Sequence, residues 1–169
     1  TRVVESAAGP VMAAAGVDAS NVGMGEMVLT LPRDADREAA QLRRRLLHLL
    51  GRPDSAPLGI VVSDTAGRPW RAGLTDFALG SAGVLTQLDH RGEADADGRP
   101  MVVSVRCLVD ELAAAADLVK GKNASVPAAL VTGLASACFA ADAPGARSLV
   151  RTGPSDWFAL GHVEAVRAE

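Results

Sequence analysis

Hydrophobic and polar positions change period several times along the chain, and each change predicts an element. Val3-Val4 and Val11-Met12-Ala13-Ala14 are short β-type runs on either side of a Gly9-Pro10 turn. Met27 to Leu31 reads as a further strand, stopped by Pro32. Asp34 or Asp36 then caps a helix to about Leu50. Ala39, Leu42, Leu46, Leu49 and Leu50 share one face at helical spacing, and Arg37, Arg44 and His48 lie opposite. Gly51 and Pro53 end it. Leu58 to Val62, bounded by Pro57 and Asp64, predicts a buried strand. Asp76 to Leu85, rich in small residues, predicts turns or a distorted strand, and Gln87 to Pro100 a polar loop. Met101 to Val105 reads as a strand. A second helix covers Leu108 to Val119, with Leu108, Leu112, Ala115, Ala116 and Val119 inward. Asp110 and Glu111 fall in its first turn, where negative charge meets the helix dipole. Pro127 to Val131 predicts another strand, and Ser155 caps a last helix to about Arg167. Such irregular alternation predicts an α+β fold with a mixed sheet, not a doubly wound one.

Composition narrows the function. A chain of 169 residues is one domain, and 49% apolar residues suffice for a core. Only 3% are aromatic and none is Tyr, so the core must be packed from Ala, Val and Leu. A net charge of -3 argues against nucleic-acid binding, which needs a Lys/Arg excess on one face. No membrane span is expected, because the apolar stretch Ala7 to Val17 is short and broken by Gly9, Pro10 and Gly16. Cys107 and Cys138 make no disulfide framework and are expected as buried thiols of a cytoplasmic protein. His48, His90 and His162 lack partners at zinc-ligand spacing. Arg43-Arg44-Arg45 on an amphipathic helix reads as a solvated face.

The candidate chemistry lies in two aspartates at the ends of apolar runs. Asp18 stands in Ala15-Gly16-Val17-Asp18-Ala19-Ser20-Asn21, and Asp64 in Ile60-Val61-Val62-Ser63-Asp64-Thr65. The second segment continues into Gly67-Arg68-Pro69-Trp70-Arg71. Carboxylates beside hydroxyls, an amide and two arginines suit a hard cation carrying a phosphate ester. Mg²⁺ and Mn²⁺ take one or two protein carboxylates and let substrate phosphates complete the shell, and guanidinium forks match phosphate oxygens. The common nucleotide fingerprints are absent. Gly121-Lys122 is followed by Asn123, not Ser or Thr, and Gly23-Met24-Gly25 lacks a third Gly. Glu93 to Gly98 mimics half an EF-hand loop, but Ser104 stands where the bidentate Glu belongs. No Gly-x-Ser-x-Gly elbow occurs.

At these segments the chain resembles the coenzyme F420:L-glutamate ligase family, the gamma-glutamyl ligases. The resemblance takes in Ala15 to Asn21, Ser63 to Arg71, Gly73 with Thr75-Asp76, and Arg91-Gly92-Glu93. It continues through Asp110 to Val119, Gly121-Lys122 before Pro127, Leu149-Val150-Arg151 and Asp156-Trp157-Phe158. It implies a GTP-dependent amide ligase that adds L-glutamate to the carboxylate of a deazaflavin coenzyme F420 precursor, through an acyl phosphate, with Mg²⁺ or Mn²⁺. By match to its motifs, Asp18 and Asp64 would be metal ligands, Thr65 would serve a second metal position, and Asn21 would touch the nucleotide. The resemblance also implies an intertwined homodimer with an irregular mixed fold. On charge grounds, Arg68 and Arg71 are assigned to clamping phosphate or carboxylate, and Lys122 is a further candidate. Asp64 and Arg68 are the catalytic candidates.

Two departures from the family pattern matter. Where the family usually has Asn-Gly-Gln after the second arginine, this chain has Ala72-Gly73-Leu74. The chain also opens on Thr1 without the N-terminal segment that supplies part of the family's nucleotide site, so the expectation is a truncated ligase-like domain over residues 1–169. Two other readings stay open: an amide ligase acting on a different carboxylate, and a non-catalytic dimer that binds metal or nucleotide.

Overall fold

A computed structural model of the chain describes residues 2–20, 22, 27–158 and 160. Their elements run β1 (Val3–Glu5), β2 (Val11–Ala13), α1 (Ala35–Leu49), β3 (Ile60–Arg68), β4 (Arg71–Ala82), β5 (Gln87–Asp89), β6 (Val105–Cys107) and α2 (Leu108–Lys120), with four short 3₁₀ turns. The α+β expectation holds. The strands do not merge into one mixed sheet, however. They form three separate antiparallel pairs, β1 with β2, β3 with β4, and β5 with β6. Each pair joins strands consecutive in the chain, β1–β2 and β3–β4 through short turns and β5–β6 through residues 90–104, so among the described residues no crossover brings parallel strands together.

The β3–β4 hairpin is the longest ladder. Both strands outrun their predicted limits, because a strand carries polar residues on one face as readily as apolar ones. Asp64 therefore sits within β3, not at its end, and Asp76 to Leu85 is largely regular strand. A bulge between Val62 and Ser63 resets the register where β4 turns inward to the core. That core joins Ala78, Val84, Leu108, Val109, Cys138 and Ala146.

Asp34 caps α1, its Oδ1 accepting the Arg37 amide at 2.9 Å. Asp36 is not a cap. It reaches out of the helix, accepting the amides of Ser81 at 2.9 Å and Arg147 at 3.2 Å. The buried face of α1 is Ala35, Ala39, Arg43 and Leu47, and the predicted leucine face is largely exposed, with Leu49 at 78%. Close approach to β4 explains the difference. A Cβ on Gly80 would lie 2.2 Å from the Ala35 carbonyl carbon, so only small residues fit at this contact.

Arg43 overturns the expectation of a solvated arginine run. It is 7% exposed. Its Nε donates to the Leu58 carbonyl at 2.7 Å, and Nη2 donates to the carbonyls of Asp54 at 2.7 Å and Ala56 at 3.1 Å. The chain after α1 offers three carbonyls with no ladder to join, one of which, Ala56, also accepts the Leu58 amide, and the rigid, many-donor fork of a guanidinium reaches all three.

Other expectations fail where no neighbouring strand arrives. Met27 to Leu31 contributes only the bridge of Leu29 to Asp18. Pro127 to Val131 joins no ladder among the described residues. The third short strand is Val105–Cys107 rather than Met101 to Val105, and Gln87 to Pro100 is partly ordered as β5 and its turn. The inward face of α2 is Leu108, Val109 and Ala113, whereas Val119 is 73% exposed. The predicted last helix falls mainly outside the described residues; its start is a single 3₁₀ turn, Gly153–Ser155.

Arg43→Ala should lower the unfolding free energy by about 2–4 kcal/mol, since it removes three hydrogen bonds, leaves the part-buried Leu58 and Asp54 carbonyls without this donor and empties a buried side-chain volume. Arg44→Ala should change it by less than about 0.5 kcal/mol. Urea unfolding of the two variants measures the contrast.

Candidate active site

Strand alternation sorts the hairpin residues by face. Thr65 pairs across the ladder with Asp76, and Asp64 with Phe77. Cross-strand partners share a face, so Thr65 and Asp76 lie on one side and Asp64 and Phe77 on the other. Asp64 is half-buried, and its Oδ1 accepts the Thr65 amide at 2.8 Å. Its pKa is raised, first by burial and then by the negative charges of Asp76 and Asp18, against the pull of the Thr65 amide and Lys122.

Asp18 is delivered by a tight turn over Ala14–Gly16, in which Ala15 takes φ 54°. Gly16 follows at φ 73°, and a Cβ there would meet Leu31 at 2.5 Å. Glycine is what lets Leu31 lie against the turn. Beyond it, Asp18 and Leu29 exchange backbone hydrogen bonds at 3.1 and 2.7 Å. The Asp18 carboxylate accepts the hydroxyl and the amide of Ser20, and these bonds hold its pKa below the ordinary value, with Lys122 assisting. Asp64 thus feels the charges of both Asp18 and Lys122. Asn21 lies outside the described residues.

The arginines do not join them. Arg68 ends β3 and Arg71 begins β4, facing each other across the two-residue Pro69-Trp70 turn. Four residues of strand separate Asp64 from Arg68, or about 13 Å at the usual rise. Both guanidiniums are exposed at the hairpin tip. Like charges directly opposite one another repel, and an anion would relieve that strain. Trp70 holds φ 58° in this turn, and its ring lies 4.8 Å from Phe158. Arg68 also borders an open depression of about 470 Å³ walled by β2, the hairpin and α2.

One cluster was not legible as a site in the sequence. Asp76, 4% exposed at its side chain, accepts Lys120 Nζ at 2.8 Å and Ser63 Oγ at 2.8 Å. Lys120 Nζ also reaches Ser63 Oγ at 3.4 Å. The signal that could have found it is the hairpin register, which sets Asp76 opposite Thr65. Asp110, expected as a helix-dipole residue, plays a more specific part, since its Oδ1 accepts the Ala78 amide at 2.9 Å.

Among the described residues, no group of three or more His, Cys, Asp or Glu side chains could hold a metal ion. A Zn-type site is therefore not built here. The charge of Asp18 adds to the cost of ionising Asp64, and a hard cation that takes most of its oxygens from water and phosphate asks for no more than one or two protein carboxylates.

The fold is an α+β hairpin scaffold with an acidic pair, and comparison with known proteins gives the family. A family model described as F420-0:Gamma-glutamyl ligase matches residues 2–133. The chain is 39% identical over 158 residues to a protein of Methanopyrus kandleri named coenzyme F420:L-glutamate ligase, covering 92% of this chain and 61% of that one. Proteins of the same name from Archaeoglobus fulgidus and Halobacterium salinarum are 41% and 42% identical, covering 78% and 72% of this chain and 51% and 44% of theirs. The chain belongs to the F420-0:gamma-glutamyl ligase family. It spans roughly half of the length of these relatives.

The cysteines take no part in the site. Both are free thiols, Cys138 buried and Cys107 partly so. Burial, with Asp110 and Glu111 nearby, pushes the Cys107 thiol up to about 12. The folded state thus holds the proton that an unfolded thiol releases near pH 9.0, and this group opposes folding progressively as pH rises from there to about 12. At pH 8, iodoacetamide should alkylate native Cys107 at least about tenfold more slowly than in urea, because the thiolate is the nucleophile. Peptide mapping by mass spectrometry reads the ratio.

Proposed function

We propose that this chain carries the metal and phosphate part of a GTP-dependent ligase that joins L-glutamate to the carboxylate of a coenzyme F420 precursor. The observation that carries the reading is the meeting of Asp18 and Asp64 in one field, from segments 46 residues apart, inside the region matched to the ligase family. Its relatives' names supply the substrate class.

In this reading a Mg²⁺ or Mn²⁺ ion held by Asp18 and Asp64 would offset charge on the triphosphate oxygens. Lys122 adds a positive charge beside both carboxylates, and Asn21 contacts the nucleotide. Arg68 and Arg71 take an anionic group at the hairpin tip, a carboxylate or a terminal phosphate. Phosphoryl transfer to the acceptor carboxylate creates an acyl phosphate, and the glutamate amine then displaces phosphate to form the amide. Such transfer asks little covalent chemistry of the protein and much alignment and charge compensation. A homodimer suits the exposed apolar residues of the β1–β2 hairpin, Val3 at 66% and Val11 at 54%, which a second copy would cover.

A second reading keeps the chemistry and changes the acceptor. The start of β4, where the family usually has Asn and Gln, here presents Ala72 and Leu74, the latter 67% exposed, close to Trp70 at 88%. Such a tip suits a less polar carboxylate.

The protein is supplied with GTP, Mn²⁺, L-glutamate and a deazaflavin precursor, and the product is weighed. A gain of one glutamyl unit supports the first reading. GTP hydrolysis dependent on another carboxylate supports the second, and nucleotide binding without turnover on any acceptor refutes both. Asp64→Asn should reduce turnover by about 10²–10³-fold or more while circular dichroism is unchanged. Near-normal turnover by that folded variant would refute the metal role of Asp64.

A further inference from the structure

We propose that Trp70, Trp157 and Phe158 form a stacking platform for a planar aromatic ring that carries an anionic group, the deazaflavin of the acceptor. The inference rests on the first reading above and concerns the end of the acceptor away from its reacting carboxylate.

The chain has two tryptophans, three phenylalanines and no tyrosine. Aromatic side chains bury more area than most others, so a chain with few of them should keep them in its core. Phe139 does pack there. The tryptophans and Phe158 do not: Trp70 is 88% exposed, Trp157 77% and Phe158 50%. They gather at one place nonetheless. The Trp70 and Phe158 ring centroids are 4.8 Å apart at 58°, and Trp157 is the chain neighbour of Phe158. Local bonds shape the segment that brings them, with Asp156 accepting the Phe158 amide at 2.8 Å and Ser155 Oγ donating to the Thr152 carbonyl at 2.8 Å.

The turn itself gives no reason for a tryptophan. Pro69 followed by Trp70 at φ 58° has the pattern of a type II turn, whose second central position favours glycine. A bulky side chain there works against the backbone. Charge supplies the reason. Arg68 and Arg71 flank Trp70, and the Arg151 guanidinium lies over the Trp157 ring, 3.8 Å from its centroid. Among the described residues, no carboxylate pairs with any of the three. In a chain of net charge -3, three guanidiniums beside three exposed rings complement a flat ring bearing a phosphate or carboxylate. The tip lies about 13 Å along β3 from Asp64. An acceptor that stacks here and reacts near Asp64 needs that separation between ring and carboxylate, which a small amino acid cannot span.

The test measures affinity for a phosphorylated 5-deazaflavin by the anisotropy of its fluorescence, and for GDP with Mn²⁺ by calorimetry. Trp70→Gly and Trp157→Leu should each weaken deazaflavin binding at least about fivefold, the effect of losing one stacking partner. GDP affinity should stay within about twofold of wild type. Glycine suits the turn, so Trp70→Gly should melt no more than about 3 °C below wild type. A larger fall makes Trp70 a packing residue and overturns the platform. Weakened GDP binding with unchanged deazaflavin binding makes the patch a guanine site and overturns it too. So does dissociation of a wild-type dimer by Trp70→Gly in sedimentation, which makes the patch an interface between copies. If wild type binds the deazaflavin and both folded variants bind it equally well, the platform falls and the ligase reading stands. If wild type binds GDP but no deazaflavin, both fall.

Discussion

Strand β4 is tied to each helix by a carboxylate from that helix's first turn. Asp36 of α1 accepts the Ser81 amide, and Asp110 of α2 accepts the Ala78 amide. Both amides belong to the inward half of β4, near the bulge that shifts its register against β3. A buried amide without a partner costs about 1–3 kcal/mol, so these two bonds make helix docking a condition of burying the strand. Gly80 lies between them and admits the backbone of α1 at close range. Everything that faces the candidate site on β3 inherits its position from this clamp.

The site itself is assembled from weakly structured parts on a firmly held hairpin. Asp64 and Thr65 ride on β3, whereas Asp18 comes from a short turn secured by Gly16 and one two-bond bridge to Leu29. That difference suits a ligand-binding role. The rigid carboxylate is the half-buried one, whose ionisation is disfavoured, and the exposed one is stabilised as an anion by Ser20. A cation would lower the cost of ionising Asp64 and bridge the two segments. The arginines stand at the hairpin tip, about 13 Å along the strand from Asp64.

Much of the fold was legible. The α1 limits, the cap at Asp34, the first hairpin and the second helix all follow from local pattern, since caps, turn residues and helical periodicity act within a few residues. The Ala15 to Asn21 and Ser63 to Arg71 segments carried the family resemblance for a similar reason: residue type is read directly from the chain. The buried role of Arg43 was not legible, because nothing in a run of three arginines says which one faces the carbonyls of the following loop. Nor was the Ser63–Asp76–Lys120 cluster, whose members are separated by up to 57 residues.

By itself, the amino-acid order determined which segments become helix or hairpin, and the family to which the chain belongs. Periodicity, capping and residue type are properties of short stretches, and they survive without knowledge of neighbours. Tertiary structure alone decided which face of each helix is buried, where the strands stop, and which charges meet. Those outcomes depend on what packs alongside: the small residues of α1 go inward because Gly80 lets the backbones touch, and Lys120 turns inward because Asp76 is there to receive it.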